Sequence, residues 1–219
     1  MKLVSIRLIV GACVLAALVG IGVIAYRSYQ HRLSAQAHDV FAARYAVYEQ
    51  SVADQATHKE GKQIADDQLA CEALSQAVSR DYQVYKNSAY APFFLALQAE
   101  LEAARGNNHE ALVLLTKAVG QMGAVDPVLY YTYATKLALM QRDAAEPTLQ
   151  TKGRQALETL AQNKRNPMRD MASFYTGYQA MLEHDTQGMQ HAWRHLFDMH
   201  NNPLSIWGLR AQSFLNYTA

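Results

Sequence analysis

Proline returns along the second half of this chain at a nearly constant interval. Pro92, Pro127, Pro167 and Pro203 stand 35, 40 and 36 residues apart, in the stretches AYAPFF, AVDPVL, KRNPMR and NNPLSI. Proline suits the first turn of a helix, where its missing N–H has no partner to lose, and is costly in a helix interior. Asp126, Asn166 and Asn202 directly precede three of these prolines, and a short polar side chain there can accept the unpaired N–H groups of the first turn. Helix starts at this interval predict a series of helix pairs, with one unit lengthened.

The stretch ARGNNHEALVLLTKA, residues 104–118, supplies the turn inside the first unit. Gly106 can take the left-handed conformation that ends a helix, and Asn107 with Glu110 three residues on has the form of a capping box. The expected helices are 89–105 with 108–120, 127–141 with 151–162, and 167–183 with 186–199, followed by a closing helix at 203–217. The insertion AAEPTLQTKG accounts for the longer second interval. Pairs of this length have the period of tetratricopeptide-like repeats, whose units bury their apolar faces by stacking and need a cap at the end. Small residues should lie where paired helices approach closely. The first unit places Ala99, Ala111 and Ala118 at such positions, with Leu115 as the large residue between them. The second offers Ala134, Ala156 and Leu160, and the third Gly177 with Trp193 as the large residue. Met189 stands where alanine is usual.

Residues 8–26, LIVGACVLAALVGIGVIAY, are uncharged and long enough for a helix to cross the hydrocarbon core of a bilayer. Lys2 and Arg7 precede this run, and it passes without a turn residue into more helix-favouring sequence. An uncleaved signal anchor is expected. A cleaved signal peptide, with VIA as its processing site, and a lipoprotein signal ending at Cys13 remain alternatives. The positive charges ahead of the span favour a cytoplasmic N-terminus. The expected organisation is then a cytoplasmic start at 1–7, a transmembrane anchor at 8–26, a membrane-proximal helical pair at 27–87, and repeats with a capping helix at 88–219. In the helical pair, Phe41, Tyr45, Tyr48 and Val52 form an apolar stripe at helical spacing. Cys71 keeps similar company with Leu69, Leu74 and Val78, as a small buried hydrophobe would.

The 219 residues carry a formal net charge of +1 and are 50% hydrophobic. Near-neutral charge without a basic, aromatic-interleaved stretch argues against nucleic acid as partner. Alternation of β-branched residues is almost absent after residue 30, so the fold class is all-α: an N-terminal transmembrane helix followed by a tetratricopeptide-like helical-repeat solenoid.

The anchor, the segments YAPFFLALQAELEAARGNNHEALVLLTKA and RDMASFYTGYQAML, and the closing SIWGLRAQSFL together resemble a bacterial family. Its members are tetratricopeptide-like inner-membrane proteins that serve as ancillary subunits of the Sec translocon. The resemblance implies one inner-membrane span, a periplasmic bulk, and partners among translocon subunits, periplasmic chaperones and emerging polypeptides. Family members usually carry a cytoplasmic segment before the span, where this chain has MKLVSIR, so no function of such a segment is expected. The alternative is a structural subunit or assembly factor of another membrane complex on the same scaffold.

Of the eight histidines, His191 and His195 in HAWRH share a helix face at the four-residue spacing of metal ligands. The glutamate of a zinc-protease motif is missing, and a solvated face is the simpler reading. No nucleophile set or phosphate loop is recognisable, so neither an enzyme nor a bound cofactor or metal is expected. The expected binding surface is a peptide groove on the first helices of the units, lined by Phe93, Ala96, Glu100, Tyr131, Thr135, Phe174 and Tyr178. Tyrosine and phenylalanine would give such a groove large contact area at low entropic cost.

Overall fold

The computed structural model describes residues 2–57, 63–123, 126–198 and 205–218, with side chains for 23–53, 69–123, 126–194, 196–197 and 205–215. Nine helices and no strand occur among the described residues: α1 (Lys2–Thr57), α2 (Gln63–Tyr85), α3 (Ala91–Ala104), α4 (Asn108–Met122), α5 (Pro127–Arg142), α6 (Pro147–Gln162), α7 (Arg169–Leu182), α8 (Thr186–Asp198) and α9 (Ile206–Thr218). The chain is all-α there. Among the described residues no helix is long and apolar enough to cross a membrane. The side chains of residues 8–22, most of the expected span, lie outside the described residues, as do Asn202 and Pro203. Two compact units are formed, Met1–Phe94 and Leu95–Ala219.

In the first unit α1 and α2 pack against each other. Arg44 Nε donates to Asp81 Oδ2 at 2.8 Å, whereas Ser34, ten residues earlier on α1, accepts the Ala89 N–H at 3.3 Å. Going back along α1 reaches forward along the chain, so the two helices run antiparallel. Ala37, Leu74, Ala77 and Val78 are buried between them. Phe41 closes one end of this core, with ring centroids 5.8 Å from Tyr45, 5.9 Å from Phe93 and 5.6 Å from Phe94. Two expectations need correction: Val52 and Leu69 are 47% and 66% exposed, and Cys71 is only half-buried. At about 100° per residue, Leu69 is turned roughly 140° away from Leu74 and faces outward.

In the second unit, α4 packs on α5, α5 on α6, α6 on α7 and α7 on α8, while α9 lies against both α7 and α8. The helix starts follow the prolines unevenly. Pro127 opens α5, and Asp126 Oδ1 accepts the N–H groups of Val128 and Leu129 at 2.8 and 3.1 Å. Pro147, expected inside an insertion, instead opens α6, which begins four residues earlier than anticipated. Asn166 does not cap α7. It is 4% exposed, its amide donates to Leu160 O at 2.9 Å and its Oδ1 accepts the Met168 N–H at 2.8 Å, which fixes the turn between α6 and α7.

Two helices of this unit end in the same way. Gly106 has φ 81° and His184 has φ 58°. After α3, the Asn107 N–H reaches Glu102 O and the Gly106 N–H reaches Ala103 O. After α7, the Asp185 N–H reaches Ala180 O and the His184 N–H reaches Met181 O. Both are Schellman turns, which satisfy the orphan carbonyls of a helix end through one left-handed residue. The expected capping box is not formed: Asn107 makes no side-chain cap bond and donates instead to Glu102 Oε2 at 2.7 Å. At the start of α8, Asp185 Oδ1 accepts the Gly188 N–H at 2.9 Å.

The repeat-packing positions fall as follows. Ala99, Ala111, Leu115 and Ala118 are at most 2% exposed, and Trp193 is fully buried. A Cβ on Gly177 would lie 2.2 Å from Trp193 Nε1, so α7 and the indole meet through the missing side chain. Met189, in place of the usual alanine, is 5% exposed and joins the core of Phe174, Trp193, Leu196 and Ala211. In the second unit of the repeat the register differs from expectation. Ala134, Ala156 and Leu160 are half-buried, while Gly153 meets the α5 backbone, a Cβ there lying 2.4 Å from Arg142 N and 2.5 Å from Ala138 O. Leu157, 2% exposed, fills the large position.

Candidate functional site

Four of the seven residues expected to line a groove, Phe93, Ala96, Thr135 and Phe174, are buried instead. Phe93 is 2% exposed because it closes the aromatic core of the first unit against Phe41 and Tyr90. Ala96 and Thr135 are fully buried, the Thr135 hydroxyl turned back onto Tyr131 O at 2.8 Å. Phe174 stacks on Trp193 and packs on Trp207 and Phe214, with centroids 6.1, 5.4 and 6.2 Å away, and Tyr178 lies 5.5 Å from Phe214. The closing helix α9 therefore covers the face that carries these two rings. Glu100 is held in an ion pair with Lys136. Tyr131 is half-buried and its hydroxyl accepts the Asn163 amide at 3.0 Å. The aromatics are core because each helix presents its large apolar side chains to neighbours on both sides of the stack.

A cleft of about 600 Å³ opens elsewhere in the second unit, between α6, α7 and α8. Its apolar and small-residue floor includes Leu157 and Ser173, each 2% exposed. Its walls are partly committed to one another. Arg154 Nη2 meets Glu183 Oε1 at 2.7 Å, and Gln179 Nε2 donates to the same oxygen at 2.5 Å. Arg169 Nε donates to Ala161 O at 2.8 Å, which holds its guanidinium against the end of α6. On the rim, Glu158, His191 and Arg194 are exposed, and among the described residues neither Glu158 nor Arg194 takes part in an ion pair.

Such a cleft offers a floor that includes buried residues and walls that carry both donors and acceptors. It suits an extended polypeptide segment, whose backbone and mixed side chains need both kinds of partner. The helical spacing of Arg154 with Glu158 and of Gln179 with Glu183 is visible in the chain, but nothing local in it says that α6 and α8 stand apart over α7. His191 lies on this rim; the side chain of His195 lies outside the described residues, and His184 serves the turn. Among the described residues no group of three His, Cys, Asp or Glu side chains is placed to hold a metal ion.

Among the described residues the second unit has a class of its own: successive helices α4 to α8 each packed on the next as in repeats, α9 against the last two, and a polar cleft between α6, α7 and α8. No family model, curated protein or solved structure matches the chain.

Proposed function

We propose that this chain is a membrane-tethered protein-interaction adaptor whose repeat-like unit holds polypeptide segments beside a membrane complex. The observation that carries this reading is the cleft between α6, α7 and α8, with a floor of buried residues and an exposed carboxylate and guanidinium, Glu158 and Arg194, on its rim. Residues 8–26 act as an uncleaved anchor in the bacterial inner membrane, with the N-terminus cytoplasmic and the remainder periplasmic. By the family resemblance, the partners are Sec translocon subunits, periplasmic chaperones and emerging chains. The mechanism is tethering: confinement near the exit site raises the effective concentration of the binding surface without any new contact. No bond is made or broken, and no cofactor or metal takes part.

The test is in-cell crosslinking of the tagged full-length protein, mild detergent extraction and mass spectrometry of what co-purifies. Translocon subunits and periplasmic chaperones, lost on removal of residues 1–30 and weakened by a Glu158→Lys/Arg194→Glu exchange on the rim, are expected. A stoichiometric, unrelated membrane complex that is indifferent to the exchange would make the chain a structural subunit and sink the adaptor reading.

A further inference from the structure

The helix that carries the apolar run is also the first packed helix of the first unit. α1 runs unbroken from Lys2 to Thr57. Its ties to the rest of the unit include Ser34, which accepts the Ala89 N–H, and Ala37, which is fully buried. Among the described side chains ahead of these, residues 23–29 are exposed. Val23 is 46% exposed, Ile24 68%, Tyr26 63% and Tyr29 59%. At about 100° per residue these four side chains point to different sides of the helix, so no single packed face could cover them. Read in the sequence, the run from Leu8 to Ala25 is apolar on every side, and a helix of that composition belongs in lipid or inside a bundle, not at the surface of a water-soluble unit. Just past Ile24 the composition changes, and Arg27, His31 and Arg32 interleave with Tyr26 and Tyr29. Tyrosine rings settle at the headgroup level, and arginine stems lie along apolar surface while their guanidinium groups reach phosphate.

We propose that residues 23–32 form a collar at the membrane–water interface, and that the unbroken α1 beyond it is a rigid stalk rather than a flexible linker. The occupant of the collar is the lipid surface: Val23 and Ile24 at the edge of the hydrocarbon, Tyr26 and Tyr29 among the headgroups, Arg27 and Arg32 on lipid phosphates. From Tyr26 to Ala37 the helix rises about 16 Å, so the packed part of the first unit begins that far along the stalk from the headgroups. Insertion of residues into the stalk would then lengthen it and turn the unit about its axis, where a flexible linker would absorb both. This proposal rests on the membrane-anchor reading above and adds its geometry.

The test places single tryptophans in the full-length protein, as Tyr26→Trp, Tyr29→Trp or Val47→Trp, in vesicles of phosphatidylcholine and phosphatidylglycerol, with the parent protein subtracting the native tryptophan signal. Lipids brominated near the headgroup should quench the residue-26 variant strongly, the residue-29 variant less, and the residue-47 variant not at all. Amide hydrogen exchange over residues 27–33 in the same vesicles should be roughly tenfold or more slower than in an unstructured chain. Equal quenching at all three positions would mean that α1 lies along the surface, and would overturn the stalk. Fast exchange would overturn it as well. Absence of quenching in protein that floats with the vesicles would overturn the collar alone, whereas protein that fails to float would overturn the anchor itself.

Discussion

Gly177 lies directly beneath the indole of Trp193, so close that a methyl group on it would overlap Nε1 at 2.2 Å and Cδ1 at 2.3 Å. The indole Nε1–H donates to Phe174 O on the same helix at 3.0 Å, which pins the ring over α7. Gly177→Ala should therefore destabilise the second unit by about 2–3 kcal/mol through overpacking. Trp193→Leu, itself costly, should make Gly177→Ala nearly neutral, a coupling of more than about 1 kcal/mol in a double-mutant cycle read by denaturant unfolding. Additive losses would show that the two residues do not meet.

Gly153 faces backbone rather than a side chain, with Arg142 N and Ala138 O in the space a Cβ would take. No rotamer change can relieve that overlap, so α5 and α6 must separate. Gly153→Ala is expected to cost at least about 2 kcal/mol. Gly120 is the control: its Cβ would meet nothing within 4 Å, and Gly120→Ala should stabilise α4 by about 0.5–1 kcal/mol. Thermal melts of the two variants should move in opposite directions.

His184 holds a left-handed backbone at φ 58° in the same Schellman turn that Gly106 makes at φ 81°. A side chain pays about 1–2 kcal/mol to sit there, and glycine pays none of it. His184→Gly should raise the unfolding midpoint, and Gly106→Ala should lower it. A loss of stability in His184→Gly would point to interactions of the imidazole that outweigh its backbone strain.

Asp126 caps α5 with two side-chain hydrogen bonds, whereas Asn107 gives α4 none. Asp126→Ala should cost about 1 kcal/mol. Glu110→Ala, which a capping box would make equally costly, should stay within about 0.5 kcal/mol of the parent protein. Chemical denaturation of both variants decides whether the box exists in solution.

Much of the helical framework was legible in the chain. Pro127 marks the start of α5 and Gly106 the end of α3 because each solves a backbone problem within a few residues of itself. The spacing of Ala99, Ala111, Leu115 and Ala118 was legible for the same reason: helix periodicity alone puts small and large residues on one buried face. The second unit of the repeat was not. With Pro147 opening α6, the close approach in this unit is Gly153 on the α5 backbone at Ala138 and Arg142. A few extra turn residues shift which small side chain meets the neighbouring helix, and Ala156 is as small as Gly153.

By itself the sequence determined the helical class of the described residues, the start of α5 at Asp126 and Pro127, the left-handed turn at Gly106 and the buried small and large positions of Gly177 and Trp193. These follow from local backbone chemistry and from a period of 3.6 residues. Only the tertiary structure decided which aromatic residues are core, that α9 covers Phe174 and Tyr178, that His184 replaces glycine in a turn, and that a cleft opens between α6 and α8. Each depends on which face a neighbouring helix occupies, and residues far apart in the chain choose that face together by the area they bury.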